Sequence, residues 1–475
     1  MAQPYTVKVL EHSHVAPPSG SVSTTIVPLT LFDVLWFFCN PIQRIFFFEL
    51  PYPTLHFTET ILPHLKHSLS LTVSHFFPLA AKLTCPIPPN KPYLRYNEGD
   101  SIPVTVAESD LDFNHLVGNH ARENRAFQSL VPNLPTARLS PDTEQVAPVV
   151  ALQITVFPNA GISIGISFNH VVADGSSINH FIKSWASIHR SGGEALASLS
   201  LPYHNRYVVK DPGEVASTNL KYLLTWDYSI ESTPSEAVPQ DKIRITLVLN
   251  QAQTEKLKEW IKTQSRNKKD KELGPIRIST YVVTCAFMWV NLMKLQEKLE
   301  ESETGSHPFN DDKLCHFLSL ADCRERYELA VPATYFGNCL AFFFVSEKRS
   351  ELMGKNGIAI AAKAIAKTIS GLEKGPLIGA EQWASKSWEI LKVGDFVTVA
   401  GSPKLRVYET DFGWGRPKKS EVAHIGAYGA FSLSECRDEE GGIEIGLVLD
   451  RKKLDLYKEI FVQGLELEHP FSFDS

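Results

Sequence analysis

Several common sequence signals are missing from this chain of 475 residues. It contains no C-x-x-C pair and no N-x-[ST] glycosylation sequon, and its 7 cysteines are odd in number. Disulfide-bonded secreted proteins usually carry paired cysteines and often carry such sequons. We therefore expect reduced thiols and a cytoplasmic location, and we find no set of residues that would form a metal site.

A long apolar run and an excess of basic charge are also missing. The most apolar stretch, residues 29–51, is broken by Asp33, Pro41 and Arg44, whereas a membrane-spanning helix needs about 20 mostly apolar residues. The net charge of −6 gives no electrostatic reason to bind nucleic acid or an anionic membrane. We expect neither partner.

The length and the order of the segments predict two mixed α/β domains. Strand-like and helix-like segments alternate on both sides of a polar stretch that contains "KDPGEV" and "ESTPSEAVPQD". We place the N-terminal domain at 1–200, a linker at 201–240 and the C-terminal domain at 241–475. The alternative is that residues 201–240 form a long surface loop within one domain.

The stretch "FNHVVADGSS" lies where a strand pattern changes to a helix pattern. Residues 152–157 and 162–170 alternate between apolar and polar, with turn residues between them, which predicts a β-hairpin. A period of two places His170 on the apolar, inward face at the end of the second strand. Helical spacing follows, with Ser176 or Ser177 as the expected N-cap. A core histidine without a catalytic role is the alternative.

Two other patterns are weaker. A second His-x-x-x-Asp, formed by His307 and Asp311, lies in a charged loop, where nothing excludes water. "GISIG" at 161–165 matches the G-x-S-x-G motif of serine hydrolases, which needs a strand–turn–helix elbow around the serine. The strand pattern continues past Ser163, so we expect no nucleophile there.

Four motifs together resemble one known family. "HVVADG" at 170–175 and "DFGWG" at 411–415 resemble the paired motifs of the plant BAHD, or HXXXD-type, acyltransferases. "SLSLTVSHFFPLAAKL" at 68–83 resembles the N-terminal block of that family. "YFGNC" at 335–339 is similar to the motif of its anthocyanin and flavonoid acyltransferase branch. The resemblance covers essentially the whole chain.

The resemblance implies a fold and a pair of substrates. The fold would consist of two similar-sized domains related to chloramphenicol acetyltransferase, with mixed sheets, flanking helices and a channel at their interface. His170 would lie in the middle of the channel, which acyl-CoA and the acceptor would enter from opposite faces. A segment near 360–396 would pack back on the first domain. Acyl-CoA would be a co-substrate, with no permanently bound cofactor, and the protein would be a monomer.

The chemistry of the residues agrees with direct acyl transfer. A neutral hydroxyl is a poor nucleophile, and an imidazole titrates near working pH and so can accept its proton. We predict His170 as the general base in a ternary complex, without a covalent intermediate. Asp174 either orients His170, as in a catalytic triad, or ties the loop by an ion pair; the resemblance favours the structural role.

The second motif carries a similar ambiguity. Asp411 is often treated as catalytic in relatives, whereas the flanking Gly413 and Gly415 suggest a tight turn held by a buried ion pair. By its alignment with a family arginine, Arg324 in "ADCRER" is the expected partner of Asp411.

The coenzyme site is expected at the start of an apolar helix. "RISTYVVTCAFMWV" at 277–290 begins with an arginine and a Ser/Thr pair, and a helix N-terminus suits a phosphate group. The resemblance points to Ser279 and Thr280, and an ordinary capped core helix is the alternative. Relatives often carry a tryptophan in the strand before DFGWG, and its nearest equivalent here is Thr398, which puts a role for that strand in doubt.

The acyl donor is predicted from the residues after the HxxxD motif. Some malonyl-using relatives place a basic residue there, because an unpaired carboxylate in a dry channel is costly. Here the stretch has no cation before His180 and Lys183, and Ile178 offers an apolar wall. We therefore predict a hydroxycinnamoyl donor and an anthocyanin or flavonoid glycoside as acceptor. The alternatives are a malonyltransferase, a serine ester hydrolase and a non-catalytic relative that binds such ligands.

Overall fold

The computed structural model describes most of the chain. The described residues are 7–193, 200–225, 241–264, 277–304, 313–324, 326, 330–373, 375–426 and 429–466. The His307–Asp311 pair and residues 226–240 of the expected linker lie outside them.

Strands in the described residues are numbered in chain order. They are β1 (Lys8–Val15), β2 (Thr25–Pro28), β3 (Ile42–Glu49), β4 (Lys82–Cys85), β5 (Tyr93–Tyr96), β6 (Ile102–Glu108), β7 (Arg122–Glu123), β8 (Gln145–Pro148), β9 (Val150–Phe157), β10 (Gly161–Phe168), β11 (Lys242–Leu249), β12 (Leu314–Asp322), β13 (Leu340–Lys348), β14 (Phe396–Ala400), β15 (Lys419–Val422), β16 (Ala430–Glu435) and β17 (Ile443–Asp450).

Helices are numbered in the same way. They are α1 (Leu31–Val34), α2 (Thr54–His56), α3 (Leu62–His75), α4 (Phe113–Val117), α5 (Asn124–Gln128), α6 (Gly175–Arg190), α7 (Val215–Leu223), α8 (Gln251–Gln264), α9 (Thr280–Thr304), α10 (Arg349–Met353), α11 (Gly357–Gly371), α12 (Trp383–Val393) and α13 (Leu454–Glu466). Short 3-10 turns lie at Leu35–Phe38, Phe77–Leu79, Arg206–Val208, Pro212–Glu214, Ala380–Gln382, Pro403–Leu405, Val407–Glu409 and Arg451–Lys453, and a π-helical turn lies at Phe57–Ile61. No helix in the described ranges is long and apolar enough to cross a bilayer.

The strands form three sheets. The first has the order β1-β6-β9-β10-β3-β15, the second β13-β12-β14-β16-β17-β11-β7, and a smaller sheet β2-β5-β4-β8. The two large sheets are mixed, since β6 and β9 pair in parallel in the first, and β12, β14 and β16 pair in parallel in the second. Helices α3 and α6 cover the first sheet with one apolar core, and α8, α9, α11 and α13 contribute to another on the second sheet.

The predicted hairpin is present as β9 and β10. Phe157 pairs with Gly161 and the register runs without a shift to Val150 and Phe168. Both faces of the hairpin are buried, so the small and polar alternate residues also pack inside. A Cβ at Gly165 would lie 2.1 Å from the Leu130 carbonyl oxygen, which explains a glycine in this strand.

The two large sheets exchange short strands. β15, from the C-terminal half, pairs with β3 of the first sheet, and β7, from the N-terminal half, pairs with β11 of the second. A buried ion cluster joins these strands, with Glu421 2.8 Å from Arg122 and 3.1 Å from Arg244. Because of this exchange, a cut between 200 and 241 does not separate the sheets, and the domain boundaries stay a prediction.

The segment 360–396 divides between the two cores. Ala362 and Ile365 of α11 belong to the core of the second sheet. Trp383 and Ala384 of α12 belong to the core of the first, where Trp383 stacks on Phe32. The part of this segment that packs back is therefore α12, not α11.

Candidate active site

His170 lies just beyond the end of β10, where the chain turns toward α6. Its side chain is buried, with 8 % of the residue exposed. The indole of Trp36 stacks on the imidazole with ring centroids 3.5 Å apart and an angle of 15° between the planes. Burial lowers the pKa of His170 to about 4, so the imidazole is neutral at physiological pH.

Asn338 determines which nitrogen of His170 carries the proton. Its Nδ2 donates to Asp33 Oδ1 at 2.9 Å and to the His170 carbonyl oxygen at 2.8 Å. Both partners only accept, so the Oδ1 of Asn338 must be the atom 3.0 Å from His170 Nδ1. Nδ1 therefore donates. Nε2 keeps its lone pair and has no hydrogen-bond partner among the described residues, which suits a general base.

A buried ion pair holds Asn338 from behind. Asp33 accepts from the backbone N–H and the side chain of Asn338, and its other oxygen lies 3.0 Å from Arg206 Nη1. Thr30 donates to the same carboxylate from its backbone and its hydroxyl, both at 2.8 Å. Gly337 leaves room for this arginine, because a Cβ there would lie 1.9 Å from Arg206 Nη1 and its φ is +149°. The asparagine is thus fixed by its neighbours on every side.

Asp174 is fully buried and tied to the backbone as well as to a cation. Its Oδ1 accepts from the Ser177 N–H at 2.9 Å, and its Oδ2 accepts from the Cys339 N–H at 3.1 Å. Asp174 is therefore the N-cap of α6, and the expectation of Ser176 or Ser177 was wrong. A charged carboxylate accepts from the free N–H groups of a first helical turn more strongly than a hydroxyl does.

Arg324 pairs with Asp174 and not with Asp411, so the predicted Arg324–Asp411 pair was wrong. Its Nη1 and Nη2 lie 2.8 and 3.0 Å from the two oxygens of Asp174. Nη2 also donates to the Gly337 carbonyl at 3.0 Å. Burial raises the pKa of Asp174, but the charge and hydrogen bond of Arg324, together with the N–H groups of Ser177 and Cys339, outweigh burial and hold this pKa below its usual range. The pair ties the HxxxD loop to the YFGNC segment.

The DFGWG motif forms a tight turn at the surface. Asp411 Oδ1 accepts from the backbone N–H groups of Gly413 and Gly415, at 2.7 and 2.9 Å. Its Oδ2 lies 3.4 Å from Arg190 at the end of α6, with 28 % of the aspartate side chain and 55 % of the arginine side chain exposed. The expected tight turn is present, whereas the expected buried ion pair is not.

The other sequence-predicted residues lie in three different places. Ser163 is in the middle of β10, fully buried, and not at a strand–helix elbow, which removes the structural basis for a serine hydrolase. Ser279 caps α9, with its hydroxyl accepting from the Val282 N–H at 3.3 Å, and Thr280 is the first residue of that helix. Thr398 lies inside β14.

Ile178 lies in the first turn of α6 and is buried in the core of the first sheet. The two basic residues that follow it contact other groups. His180 contacts the Ser200 carbonyl, and Lys183 pairs with Glu409 at 2.9 Å.

Four residues around His170 were not predicted: Asp33, Trp36, Arg206 and Asn338. Asp33 and Trp36 stand in the apolar stretch 29–51, whose composition bears on a membrane span and not on a catalytic site. An aspartate inside such a run was the available signal, since a buried carboxylate needs a partner. Asn338 is part of the YFGNC motif but received no role.

The fold and the site together define a class of protein. Two mixed sheets exchange strands, and a neutral histidine with one free nitrogen lies among segments from both halves of the chain. Burial raises the pKa of the thiol of Cys339, the residue after Asn338, above its usual range, so that thiol is not an activated nucleophile. The arrangement fits the class of enzymes, acyltransferases among them, in which a histidine can act as a general base.

Comparisons with known proteins agree. The model of the Transferase family matches residues 5–463. The chain is 39 % identical over 470 residues to the coumaroyl-CoA:anthocyanidin 3-O-glucoside-6''-O-coumaroyltransferase 1 of Arabidopsis thaliana, covering 97 % of each. It is 35 % identical over 468 residues to the malonyl-coenzyme A:anthocyanin 3-O-glucoside-6''-O-malonyltransferase of Dahlia pinnata, covering 96 % of this chain and 97 % of that one.

A crystal structure of vinorine synthase shows the same fold, with a TM-score of 0.65 at 17 % identity over 95 % of this chain and 96 % of that one. The chain belongs to the Transferase family, the plant BAHD acyltransferases. The predicted family and fold class are confirmed, and the protein is an acyl-CoA-dependent acyltransferase.

Proposed function

We propose that this enzyme transfers a hydroxycinnamoyl group from coenzyme A to a sugar hydroxyl of an anthocyanin or flavonoid glycoside. The observation that carries the chemistry is the fixed tautomer of His170, with Nδ1 held by Asn338. The substrate class is supported by the relatives, of which one is named as a coumaroyltransferase and another as a malonyltransferase of anthocyanin glucosides.

The proton moves in a closed cycle. Nε2 of His170 accepts the proton of the sugar hydroxyl while the hydroxyl oxygen attacks the carbonyl carbon of the thioester. The tetrahedral intermediate collapses, the C–S bond breaks, and the imidazolium returns the proton to the departing thiolate. No group on the enzyme is acylated.

The surroundings favour a short-lived imidazolium. Burial lowers the pKa of His170, while the charges of Asp174 and Asp33 act in the opposite direction. Free His170 thus stays neutral and ready to accept a proton. When the proton arrives, the oxyanion of the intermediate and the two buried carboxylates stabilise the cation by charge attraction.

Ser279 and Thr280 are proposed to bind the coenzyme. The described part of α9 is 25 residues long, and the free N–H groups at its N-terminus favour a phosphate oxygen. Ser279→Ala combined with Thr280→Ala should raise KM for acyl-CoA several-fold with little change in kcat. An unchanged KM would place the coenzyme elsewhere.

Ile178 is proposed to form the apolar wall that contacts the acyl group of the donor. Replacement of Ile178 by Arg would add a cation where the helix begins, and should shift the ratio of malonyl to p-coumaroyl transfer upward. Ile178→Leu is the matched control and should leave the ratio unchanged. A higher kcat/KM for malonyl-CoA in the unmodified enzyme would overturn the hydroxycinnamoyl assignment in favour of a malonyltransferase.

The test of the function is acceptor-dependent release of free thiol. The purified enzyme is incubated with p-coumaroyl-CoA, with and without an anthocyanin 3-O-glucoside, and the ester is identified by mass spectrometry. Thiol release that needs the glucoside supports the proposal. Equal release without acceptor would indicate a hydrolase, and no release with any acyl-CoA would indicate a binding protein. A monomeric state and a cytoplasmic location are part of the proposal.

A further inference from the structure

Arg44 is a cation placed between the two large sheets. It lies on β3, opposite Ile166 of β10 and Val422 of β15. Gly401 follows β14, and a Cβ added to it would lie 3.3 Å from Arg44 Nη2 and 2.7 Å from the carbonyl oxygen of Leu433 on β16. The guanidinium therefore reaches from the first sheet to the residue that follows β14 and to β16 in the second sheet.

Arg44 is weakly bonded for an arginine at such an interface. Its one hydrogen bond to a described residue runs from Nη1 to Ser420 Oγ at 3.1 Å. Its side chain is half-buried, and a guanidinium has five N–H groups. By contrast, Arg122 and Arg244 nearby are fully buried and bonded to Glu421. Several donors of Arg44 remain available to a ligand.

Glu435 presents the opposite polarity in the same region. Its Oε1 accepts from the Tyr408 N–H at 2.7 Å, while its buried Oε2 has no hydrogen-bond partner. Burial lowers the pKa of Arg44, and the charge of Glu435 is the strongest influence in the opposite direction. Glu435 stands two residues after Leu433 on β16. The Leu433 carbonyl oxygen and Arg44 Nη2 both lie within 3.3 Å of the position that a Cβ on Gly401 would occupy. The two groups therefore lie in the same region, yet no ion pair joins these two described residues.

A donor and an acceptor that do not bond to each other can both be satisfied by one hydroxyl group. A phenol accepts with its oxygen and donates with its hydrogen. We propose that Arg44 and Glu435 bind the 4-hydroxyl of a hydroxycinnamoyl donor, with Arg44 donating to the phenol oxygen and the phenol donating to Glu435 Oε2. This inference rests on the proposed function and adds residues that select the donor.

The position of Arg44 relative to His170 fits an elongated acyl group. Ile166 lies opposite Arg44 and precedes His170 by four residues. The Cα atoms of Ile166 and His170 are therefore at most about 14 Å apart, at about 3.3 Å per residue. Directly opposed side chains share a face, and Phe168 of this face lies 6.0 Å from the His170 ring. A phenol is separated from the thioester carbonyl by a double bond and a ring, whereas a malonyl carboxylate is one methylene away.

A malonyl group would also suit this pair poorly for electrostatic reasons. Its carboxylate would be attracted to Arg44 but repelled by the carboxyl of Glu435, and it has no hydrogen to donate to Oε2. A phenol satisfies both groups at once. The pair thus favours a phenolic acyl group over a short anionic one.

The experiment compares p-coumaroyl-CoA with cinnamoyl-CoA, which lacks the 4-hydroxyl. We measure kcat/KM with one anthocyanin glucoside and, independently of turnover, Kd from quenching of tryptophan fluorescence. The unmodified enzyme should prefer p-coumaroyl-CoA by about tenfold or more, since buried polar groups left unpaired by an analogue are costly. Arg44→Met and Glu435→Met should each reduce this ratio to about twofold or less.

Lys418→Met is the matched control, because Lys418 pairs with Glu49 at the other end of β3; its ratio should stay at the unmodified value. A ratio near one in the unmodified enzyme, or a ratio that survives in both Met variants, overturns the inference. So does a selective loss of malonyl transfer in Arg44→Met, which would assign Arg44 to a carboxylate. If no donor supports turnover, the proposed function is wrong. The ratio of the Kd values for cinnamoyl-CoA and p-coumaroyl-CoA then still tests the roles of Arg44 and Glu435. If Arg44→Met does not fold, Glu435→Met and the unmodified ratio decide it.

Discussion

Asp174 and Asp411 each lie in a glycine-containing motif beside α6, one at its start and one at its end, yet their surroundings differ. The Asp174 side chain has no exposed surface and faces Arg324 at 2.8 Å, whereas Asp411 keeps 28 % of its side chain exposed and faces Arg190 at 3.4 Å. Both accept from two backbone N–H groups. A motif aspartate can therefore fix the geometry of a loop in two ways. Asp174 does so through a buried ion pair, and Asp411 does so through backbone hydrogen bonds within a tight turn.

Neither aspartate is a hydrogen-bond partner of the His170 ring among the described residues. The described hydrogen-bond partner of the His170 ring is Asn338, which in turn is held by Asp33. We therefore propose that His170 transfers the proton and that Asp174 places its loop, while Asp411 shapes the surface turn.

The largest effect is expected for the base itself. His170→Ala should lower kcat by about 10²–10⁴-fold, the usual contribution of a positioned general base, with the fold intact by circular dichroism. His204→Gln is the matched control, since burial also lowers the pKa of His204 to about 4, but its ring contacts the His75 carbonyl instead of Asn338. Near-unchanged turnover in a folded His170→Ala would remove the mechanism.

The next effect concerns the buried aspartate. Asp174→Asn leaves Arg324 without its main counter-charge, which should cost about 3–5 kcal/mol of unfolding free energy, measured by urea denaturation. Asp322→Asn is the control, because Asp322 faces the same arginine at 3.1 Å but is 48 % exposed, and should cost under about 1 kcal/mol.

Activity of Asp174→Asn should fall because His170 is misplaced. A crystal structure of that variant with the His170 ring unmoved, together with collapsed activity, would show a direct electrostatic role for Asp174 instead.

The smallest effect is expected at the surface turn. Asp411→Ala removes two backbone hydrogen bonds and should cost about 1–2 kcal/mol, whereas Asp411→Asn keeps an acceptor and should cost under about 1 kcal/mol. Arg190→Met should also be nearly neutral, as an exposed ion pair contributes little. A collapse of rate in Asp411→Asn at an unchanged melting temperature would give Asp411 a chemical role.

The sequence predicted the features that depend on local pattern. Period-two alternation predicted the hairpin and the inward direction of His170, and the motifs predicted the family. The four residues of β15 and the two of β7 carry too few positions to show a period, so the strand exchange could not be predicted in this way.

Contacts between residues far apart in the chain were not predicted correctly. The sequence contains two motif aspartates that could pair with Arg324. The folded chain shows that Asp174 is its partner. Asn338 had no predicted role because its contacts, to Asp33 and His170, join segments far apart in the chain.

The pH dependence of kcat/KM in the unmodified enzyme reports the free enzyme, and it therefore shows whether a buried, neutral His170 is the base. Imidazole is a base only when neutral, and a pKa lowered to about 4 keeps it neutral at higher pH. We expect kcat/KM to be constant from about pH 5.5 to 8 and to fall only as the pH approaches 4, with folding monitored by circular dichroism at each point. An acid limb near the ordinary histidine value of about 6.5 would contradict it.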